Sequence, residues 1–237
     1  MMEIANIDVA VLAGGLGTRL RGVLPETPKI LAPVGGRPFL EHLLEWLIRQ
    51  GARRVVLCLG YRSADVLAFL KTRSFVPLEV NIAIEANPLG TGGAVANARS
   101  HLSSDPVLVI NGDTIVETDL KAFLAAHCAS QAAASILCAR VEDAGRYGRL
   151  EIDSHQRVVR FAEKDPAARQ PAWINAGFYL FGRAALQNIA QLAKGSIERD
   201  ILEKMPAGTI HAFLTGGRFL DIGTPETLAL APEILTS

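Results

Sequence analysis

The chain has 237 residues, 49% of them hydrophobic, which is enough for one domain with a large core. Its 24 lysine and arginine residues balance 24 aspartate and glutamate residues, so no basic excess favours binding to nucleic acid. No apolar run approaches the length of a membrane span and the first residues are acidic rather than basic, so we expect a cytoplasmic protein with neither nucleic acid nor membrane as a partner.

The cysteines and histidines give no sign of a disulfide or a zinc site. Cys58, Cys128 and Cys138 are far apart and form no C-x-x-C pair, so we expect them to be small core residues. The five histidines are scattered and lack the H-E-x-x-H pattern. Zinc is therefore not expected.

A glycine-rich loop follows a short apolar run near the start of the chain. Residues 9–12 are apolar without alternation, which is typical of a central strand buried on both faces of a parallel sheet. Gly14, Gly15 and Gly17 lack a Cβ, so the backbone can turn sharply there and bring its N–H groups against an anion. The pattern indicates a phosphate-binding loop, with an ordinary strand-to-helix turn as the alternative.

The spacing of this loop excludes two better-known nucleotide motifs. A Walker loop needs a second glycine five residues after the first, but Arg19 and Leu20 stand there, counted from Gly14 and Gly15. The dinucleotide fingerprint fails as well, because its third glycine falls on Leu20, and this argues against a nicotinamide cofactor and a dehydrogenase. Arg19 and Lys29 instead place two cations beside the loop, which suits a triphosphate.

The stretch that follows alternates helices and strands. Residues 38–51 predict an amphipathic helix, and residues 63–71 predict a second helix capped by Ser63. Buried strands are predicted at 55–59 and 79–85. This alternation predicts an α/β fold with a Rossmann-like, doubly wound, mostly parallel sheet.

A second glycine-rich turn, residues 88–94, leads into a predicted helix at 94–102. Ligands of open α/β sheets bind outside the carboxyl ends of the strands, so both glycine-rich loops are expected at one crevice. A plain turn is again the alternative.

The next predicted strand, residues 107–110, ends in Asn111-Gly112-Asp113. Asn-Gly between apolar runs also signals a hairpin, with residues 114–116 as the returning strand. The alternation of strands and helices on either side favours another interpretation, in which Asp113 stands at the end of the strand and its carboxylate holds Mg²⁺.

The second half of the chain has a different pattern. A helix is predicted at 119–127 and a strand at 135–141, while residues 148–153 and 157–162 alternate in hydrophobicity and predict antiparallel strands beside the site. This half is expected to carry the pocket for a second substrate.

The last predicted strand and helix carry further candidate residues. Asn175 and Gly177 lie in an aromatic-rich strand at 173–181, where a glycine often marks the close approach of a ligand or another backbone. Thr224 suits the cap of a final helix. Asp221 is not needed for that cap, so it is either a turn residue or a functional carboxylate.

Two runs resemble the signature of the sugar 1-phosphate nucleotidylyltransferases. They are Ala13-Gly-Gly-Leu-Gly-Thr-Arg-Leu and Thr27-Pro-Lys-Ile-Leu-Ala-Pro-Val, in which Ile30 replaces a proline common in the family. The likeness covers residues 9–228 and is greatest to the D-glycero-D-manno-heptose 1-phosphate guanylyltransferases. Arg146-Tyr-Gly, Asn175-Ala-Gly and Ser196-Ile-Glu-Arg-Asp are among the stretches that carry it.

The resemblance implies a fold and a reaction. The fold is that of the nucleotide-diphospho-sugar transferases, as one domain over 1–237 with a nucleotide-binding part at about 1–140 and a sugar-phosphate-binding part at about 141–237. The reaction is a Mg²⁺-dependent transfer from GTP to heptose 1-phosphate, which yields GDP-heptose and pyrophosphate for surface polysaccharide such as capsule or lipopolysaccharide.

The resemblance also implies roles for individual residues. Asp113 and Asp221 would hold Mg²⁺, Arg19 would contact the triphosphate and stabilise the leaving pyrophosphate, Lys29 would lie near the α-phosphate, and Lys164 would bind the sugar phosphate. These five are the implied catalytic residues. By local pattern alone, Lys164 belongs to a solvated turn.

The other implied contacts form two groups. Nucleotide-binding residues are Leu12, Ala13, Gly14, Gly15, Gly17, Thr18, Arg19, Lys29, Glu85, Pro88, Leu89, Gly90, Thr91 and Gly112. Sugar-phosphate-binding residues are Tyr147, Gly148, Glu163, Lys164, Asn175 and Gly177.

Several alternatives stay open at this stage. Composition and spacing do not distinguish guanine from other bases, so a uridylyl- or thymidylyltransferase and a mannose 1-phosphate guanylyltransferase are alternatives. A regulatory domain that binds nucleotide sugars without turnover is another, although the presence of both Asp113 and Asp221 argues against it. A homodimer is an option that hydrophobic periodicity cannot distinguish from a buried core.

Overall fold

The structure is a computed structural model that describes residues 2–162 and 169–235. Its strands are β1 Asp8–Ala13, β2 Pro33–Val34, β3 Arg37–Pro38, β4 Arg54–Leu59, β5 Glu79–Ile84, β6 Val107–Asn111, β7 Thr114–Val116, β8 Ala134–Val141, β9 Arg149–Ile152, β10 Val158–Ala162, β11 Ala172–Phe181, β12 Ile210–Thr215 and β13 Phe219–Asp221. Its α-helices are α1 Phe39–Arg49, α2 Ser63–Lys71, α3 Gly90–Asn97, α4 Leu120–Ser130, α5 Arg183–Ile189 and α6 Pro225–Leu235.

One mixed sheet organises the fold, with strands in the order β10-β9-β11-β6-β1-β4-β5, while β8 pairs with β11 and β12 pairs with β8. β1 is parallel to β4 and to β6, with Val9 opposite Val55 and Leu108. β11 runs antiparallel to β6, and β9 and β10 form an antiparallel pair at one edge. The prediction of a Rossmann-like α/β fold with a smaller antiparallel part is confirmed, and β1 is the expected central strand.

Helices cover both faces of the sheet, which explains why β1 is apolar without alternation. Val9 and Val11 belong to a core that includes Leu43 of α1, whereas Ala10 belongs to a second core that includes Val95 of α3. Because successive side chains of a strand point to opposite faces, a strand between two cores is apolar at every position.

β7 does not fold back on β6 as a hairpin. It pairs antiparallel with β13, so that Thr114 lies opposite Asp221. Gly112 packs against β1, since its N–H donates to the Leu12 carbonyl at 2.9 Å and a Cβ there would lie 2.7 Å from the same oxygen. The hairpin alternative is therefore wrong, and the β7–β13 ladder brings Asp113 close to Asp221.

α3 begins four residues before the predicted helix at 94–102 and ends at Asn97. Gly92 and Gly93 thus lie inside the helix rather than in a turn. A Cβ at Gly92 would lie 2.7 Å from Leu192 Cδ1, and one at Gly93 would lie 3.1 Å from Lys194 Cα. These glycines let α3 pack closely on residues 192–195, which the local sequence does not indicate.

The predicted helix caps and the predicted burial of the cysteines are each confirmed in part. Thr224 Oγ1 accepts a hydrogen bond from Thr227 N at 3.4 Å, which confirms the cap of α6. The predicted cap at Ser63 is wrong, because Ser63 is the first residue of α2 and Arg62 occupies the cap position. Arg62 has a φ of 52° and makes no side-chain hydrogen bond that caps the helix. Cys58 and Cys138 are buried as predicted, whereas Cys128 is exposed because it lies beyond the buried face of α4.

α5 and β12 were not predicted, and neither was a π-helical turn at Ile197–Ile201. Among the described residues, no helix combines the length and apolar character needed to cross a bilayer.

Candidate active site

A cavity of about 660 Å³ opens beside the C-terminal end of β6. It is lined by residues from both halves of the chain, including the predicted site residues Arg19, Lys29, Asp113, Tyr147, Gly148, Asn175 and Asp221. Ligands of α/β sheets bind at this end of the strands, so the cavity is where the topology places a substrate.

Two aspartates and one lysine form the most highly charged part of this cavity. Lys29 Nζ makes an ion pair with Asp113 Oδ2 and lies 3.7 Å from Asp221 Oδ1. Asp221 Oδ1 also accepts a hydrogen bond from Gly223 N at 2.7 Å, and Ile222 N donates to the carbonyl of Asp113 at 3.0 Å. The two strand-end carboxylates, far apart in sequence, are thus held on either side of one ammonium group.

The negative charge of Asp113 and Asp221 is only partly compensated by Lys29. Burial, together with the nearby Asp113 carboxylate, raises the pKa of Asp221, and the Lys29 ammonium only partly opposes this. One lysine cannot neutralise two carboxylates, so the site has room for a further cation.

The two carboxylates fit a magnesium ion that takes most of its ligands from outside the protein. Magnesium takes one or two protein carboxylates and completes its shell with phosphate oxygens and water. Within residues 2–162 and 169–235, no group of three or more histidine, cysteine, aspartate or glutamate side chains forms a closed metal cage. Asp113 and Asp221 therefore fit a magnesium ion that completes its shell with water or phosphate oxygens.

The first glycine-rich loop passes beside this cavity and leads into a 3₁₀ turn, Thr18–Leu20, rather than an α-helix. Gly17 has a φ of 57°, and a Cβ there would lie 3.4 Å from Lys29 Cβ. Leu20 is buried, so the residue in the place of a dinucleotide-type glycine serves the core. Arg19 lines the cavity, whereas Leu12, Ala13, Gly14, Gly15, Gly17 and Thr18 are not among its lining residues.

Glu85 joins the two predicted nucleotide-binding loops. It follows β5, its Oε2 accepts a hydrogen bond from Leu89 N at 3.1 Å, and a Cβ at Gly14 or Gly60 would lie 2.7 or 2.6 Å from its Oε1. Burial raises the pKa of Glu85, opposed by the Leu89 N–H. The carboxylate is thus fixed between the loops outside the large cavity. Pro88 and Gly112 do not line that cavity either.

Gly90 and Thr91, also expected at the nucleotide, pack on the second half of the chain. Gly90 has a φ of 75°, and a Cβ there would lie 2.5 Å from the carbonyl oxygen of Gly195. Thr91 Oγ1 accepts a hydrogen bond from Ile197 N at 2.8 Å. Their nucleotide-binding roles stay predictions.

The predicted sugar side of the cavity contains Tyr147, Gly148 and Asn175. The Tyr147 ring packs edge-on against Phe219, with ring centroids 5.4 Å apart, and burial raises its pKa, as does the Asp221 carboxylate. Glu163 and Lys164 lie outside the described residues.

Gly177 does not line the cavity but makes room for a residue that does. It has a φ of 77°, and a Cβ there would lie 2.7 Å from Asn111 Cγ. The pairing of β11 with β8 shifts register between Asn175 and Tyr179, so the strand bulges at this glycine. The close approach expected from the sequence is therefore that of the Asn111 side chain.

Several cavity residues were missed by sequence reasoning. They are Asn111, Thr114, Arg149, Tyr179, Ser196, Glu198, Arg199 and Glu203, with other lining positions. Ser196-Ile-Glu-Arg-Asp was noted for its likeness to the family but was given no role. A π-helical turn in this stretch was not foreseeable, although such turns are frequent at functional sites.

Comparisons with known proteins agree on one family. A model of the nucleotidyl transferase family matches residues 9–237. A mannose-1-phosphate guanylyltransferase of Mycobacterium tuberculosis is 36% identical over 95% of this chain and 63% of that protein. A D-glycero-alpha-D-manno-heptose 1-phosphate guanylyltransferase of Aneurinibacillus thermoaerophilus is 33% identical over 97% of this chain and 98% of that protein. The crystal structure of HddC from Yersinia pseudotuberculosis complexed with GMP-PN has a TM-score of 0.86 and 37% identity, covering 96% of this chain and 98% of that one.

The chain therefore belongs to the nucleotidyl transferase family. This confirms the predicted enzyme class, that of the sugar 1-phosphate nucleotidylyltransferases. The chain spans less than two thirds of the Mycobacterium relative and nearly all of the Aneurinibacillus relative.

Proposed function

We propose that this protein transfers a guanylyl group from GTP to D-glycero-α-D-manno-heptose 1-phosphate, with release of pyrophosphate. The observation that carries this proposal is the convergence of Asp113, Asp221 and Lys29 on a cavity that Arg19 also lines. Such a site suits a metal ion and several phosphates. The names of the heptose and mannose relatives support guanylyl transfer in particular.

The reaction does not require a protein base. The attacking group is the phosphate of the sugar, whose second pKa is about 6, so it is largely ionised at neutral pH. The described lining of the cavity contains neither histidine nor cysteine, which agrees with a site that positions charged groups rather than abstracting protons. Catalysis then consists of aligning the two phosphates and stabilising the charge that develops.

Charged side chains of the cavity supply that stabilisation. Asp113 and Asp221 would hold Mg²⁺, which neutralises phosphate charge when bound. Lys29 already lies between the two aspartates, where it would contact the α-phosphate, and Arg19 would lie against the β- and γ-phosphates. Lys164, outside the described residues, is proposed to bind the sugar phosphate.

The choice of GTP is supported by the position of Glu85. Guanine presents N1–H and N2–H₂ donors side by side, and a carboxylate accepts both. Among residues 2–162 and 169–235, Glu85 Oε1 accepts no hydrogen bond, although Oε2 is fixed by Leu89 N. Uracil and thymine present carbonyl oxygens on both sides of their single N–H, and a carboxylate would repel these oxygens.

The wider assignments are part of the same proposal. One domain with a nucleotide part and a sugar-phosphate part is supported by β11, which lies in the same sheet as β1. GDP-heptose would supply surface polysaccharide assembly, in the cytoplasm. Mannose 1-phosphate is the second candidate acceptor because the Mycobacterium relative is named for it.

The test is pyrophosphate release with Mg²⁺ and each of the four common nucleoside triphosphates, paired with heptose 1-phosphate, mannose 1-phosphate or glucose 1-phosphate. We expect release with GTP and heptose 1-phosphate. Preference for mannose 1-phosphate, or for another triphosphate, would overturn the named substrate and keep the enzyme class. Nucleotide binding without release in any well would instead support a regulatory role.

A further inference from the structure

A chain of hydrogen bonds leads from the sugar side of the cavity to α3. Asn175 Nδ2 donates to Tyr179 Oη at 3.0 Å, and Tyr179 donates to Glu198 Oε1 at 2.7 Å. From the other side, Ser196 Oγ donates to Glu198 Oε2 at 2.6 Å, and Thr91 Oγ1 donates to the same oxygen at 3.3 Å. The proposed transfer mechanism gives Glu198 and Tyr179 no role.

This network fixes the direction of each polar group in it. Asn175 Oδ1 accepts a hydrogen bond from Gly177 N at 2.9 Å, so its Nδ2 must face Tyr179. The fully buried Tyr179 then directs its own hydrogen to Glu198. Asn175 and Glu198, which line the cavity together with Tyr179 and Ser196, are thereby held in one orientation.

Both residues retain hydrogen-bonding capacity for a ligand. The amide nitrogen of Asn175 has two hydrogens and gives one of them to Tyr179. A carboxylate can accept about four hydrogen bonds, and Glu198 accepts three from side chains of the described residues. The cavity wall thus presents one donor and one acceptor on neighbouring, pre-oriented groups.

The charge of Glu198 indicates which part of a substrate it would contact. Lys29 lies between Asp113 and Asp221, whereas no lysine or arginine of the described chain is within ion-pair distance of Glu198. A carboxylate without a neighbouring cation repels phosphate and attracts O–H groups. Its partner in the cavity should therefore be a neutral, hydroxylated group.

We propose that Glu198 is a binding residue for a ring hydroxyl of the acceptor sugar and that Tyr179 positions it. Asn175 and Glu198 together match two adjacent hydroxyls. One hydroxyl would accept a hydrogen bond from Asn175 Nδ2, and the other would donate a hydrogen bond to the Glu198 carboxylate. This inference rests on the proposed function, because it requires a sugar 1-phosphate as the second substrate.

The experiment measures kcat/KM of the wild type, Glu198→Gln and Tyr179→Phe with mannose 1-phosphate and its 2-, 3-, 4- and 6-deoxy analogues. Heptose and mannose 1-phosphates share the manno ring, so these analogues probe hydroxyls common to both. For one hydroxyl, we expect its removal to cost the wild type ~10–100-fold. Glu198→Gln should lower kcat/KM for mannose 1-phosphate by a similar factor. For the analogue that lacks the contacted hydroxyl, kcat/KM of this variant should fall little further, and KM for GTP should not change. Tyr179→Phe should show the same pattern to a smaller extent.

Asp200→Asn is the matched control on the same segment. Asp200 accepts hydrogen bonds from Ser196 N and Lys204 and does not line the cavity. Asp200→Asn should change kcat/KM by the same factor for mannose 1-phosphate and for each deoxy analogue. Equal losses on every analogue for Glu198→Gln would overturn the inference while leaving the proposed function intact. No wild-type turnover with any sugar 1-phosphate would overturn both.

Discussion

At the scale of single residues, Asp221 shows how a side chain proposed to bind metal can weaken the fold. Its pKa is raised by burial and then by the Asp113 carboxylate, so its charged form is disfavoured in the folded state. Asp221→Asn removes that charge and retains an acceptor for Gly223 N. We expect the metal-free variant to be more stable by on the order of 1 kcal/mol and its turnover to fall about 10²–10³-fold. Thermal unfolding without Mg²⁺, beside pyrophosphate release, checks both effects, and a lower Tm would contradict this account.

Gly177 carries a second residue-scale prediction. A Cβ there would meet the Asn111 side chain, and the φ of 77° already disfavours any other residue. Gly177→Ala should lose roughly 2–4 kcal/mol of unfolding free energy through strain and displacement of Asn111. Gly148→Ala is the control, because the nearest atom to a Cβ there is 3.8 Å away. Similar urea midpoints for the two variants would show that the bulge tolerates a side chain.

At the scale of elements, the packing of α4 on β8 and β12 makes stability depend on pH. His127 of α4 hydrogen-bonds Ser135 Oγ through Nδ1 at 2.7 Å. Burial, together with the neighbouring His211 of β12, lowers the pKa of His127 to about 4, opposed by Asp105. The pKa of His211 is also lowered, by its own burial and by Arg157.

The pKa values of His127 and His211 are both lowered in the folded state, so both histidines change stability with pH in the same direction. A histidine whose folded pKa lies below 6.5 takes up protons in the unfolded state first, so its contribution is present above pH 6.5 and is lost towards pH 4. His127 alone should cost about 2 kcal/mol of stability between pH 7 and pH 5. Urea unfolding at the two pH values tests this, and His127→Gln should flatten the dependence. An unchanged wild-type stability at pH 5 would refute it.

Helices and strands with a local burial pattern could be predicted from the sequence, whereas those defined by distant partners could not. β1 and α1 were predicted because their burial patterns are local, with β1 apolar throughout and α1 buried along one face. The start of α3 and the partner of β7 depend on residues 192–195 and on β13, which lie about a hundred residues away. No local pattern contains such partners, so these elements were predicted wrongly or incompletely.

At the scale of the whole molecule, the site combines groups predicted from the sequence with groups that only the fold reveals. Asp113 was expected at the end of a buried strand, and the resemblance to the family placed Asp221 beside it. Asn111 and Glu198 were missed because their place depends on the bulge at Gly177 and on a π-helical turn. The sequence alone thus indicates the charged groups at strand ends, but not the shape of the cavity wall that contains Asn111 and Glu198.

The central claim is that Asp113 and Asp221 hold the Mg²⁺ of a guanylyl transfer. The most direct test is the rate of pyrophosphate release from GTP and heptose 1-phosphate, titrated with Mg²⁺, in the wild type and in Asp113→Asn. We predict a wild-type rate that saturates with Mg²⁺ and vanishes with a chelator. The folded variant should be slower by about 10²–10³-fold at every Mg²⁺ concentration. A wild-type rate in Asp113→Asn, or turnover that persists without divalent cations, would contradict the claim.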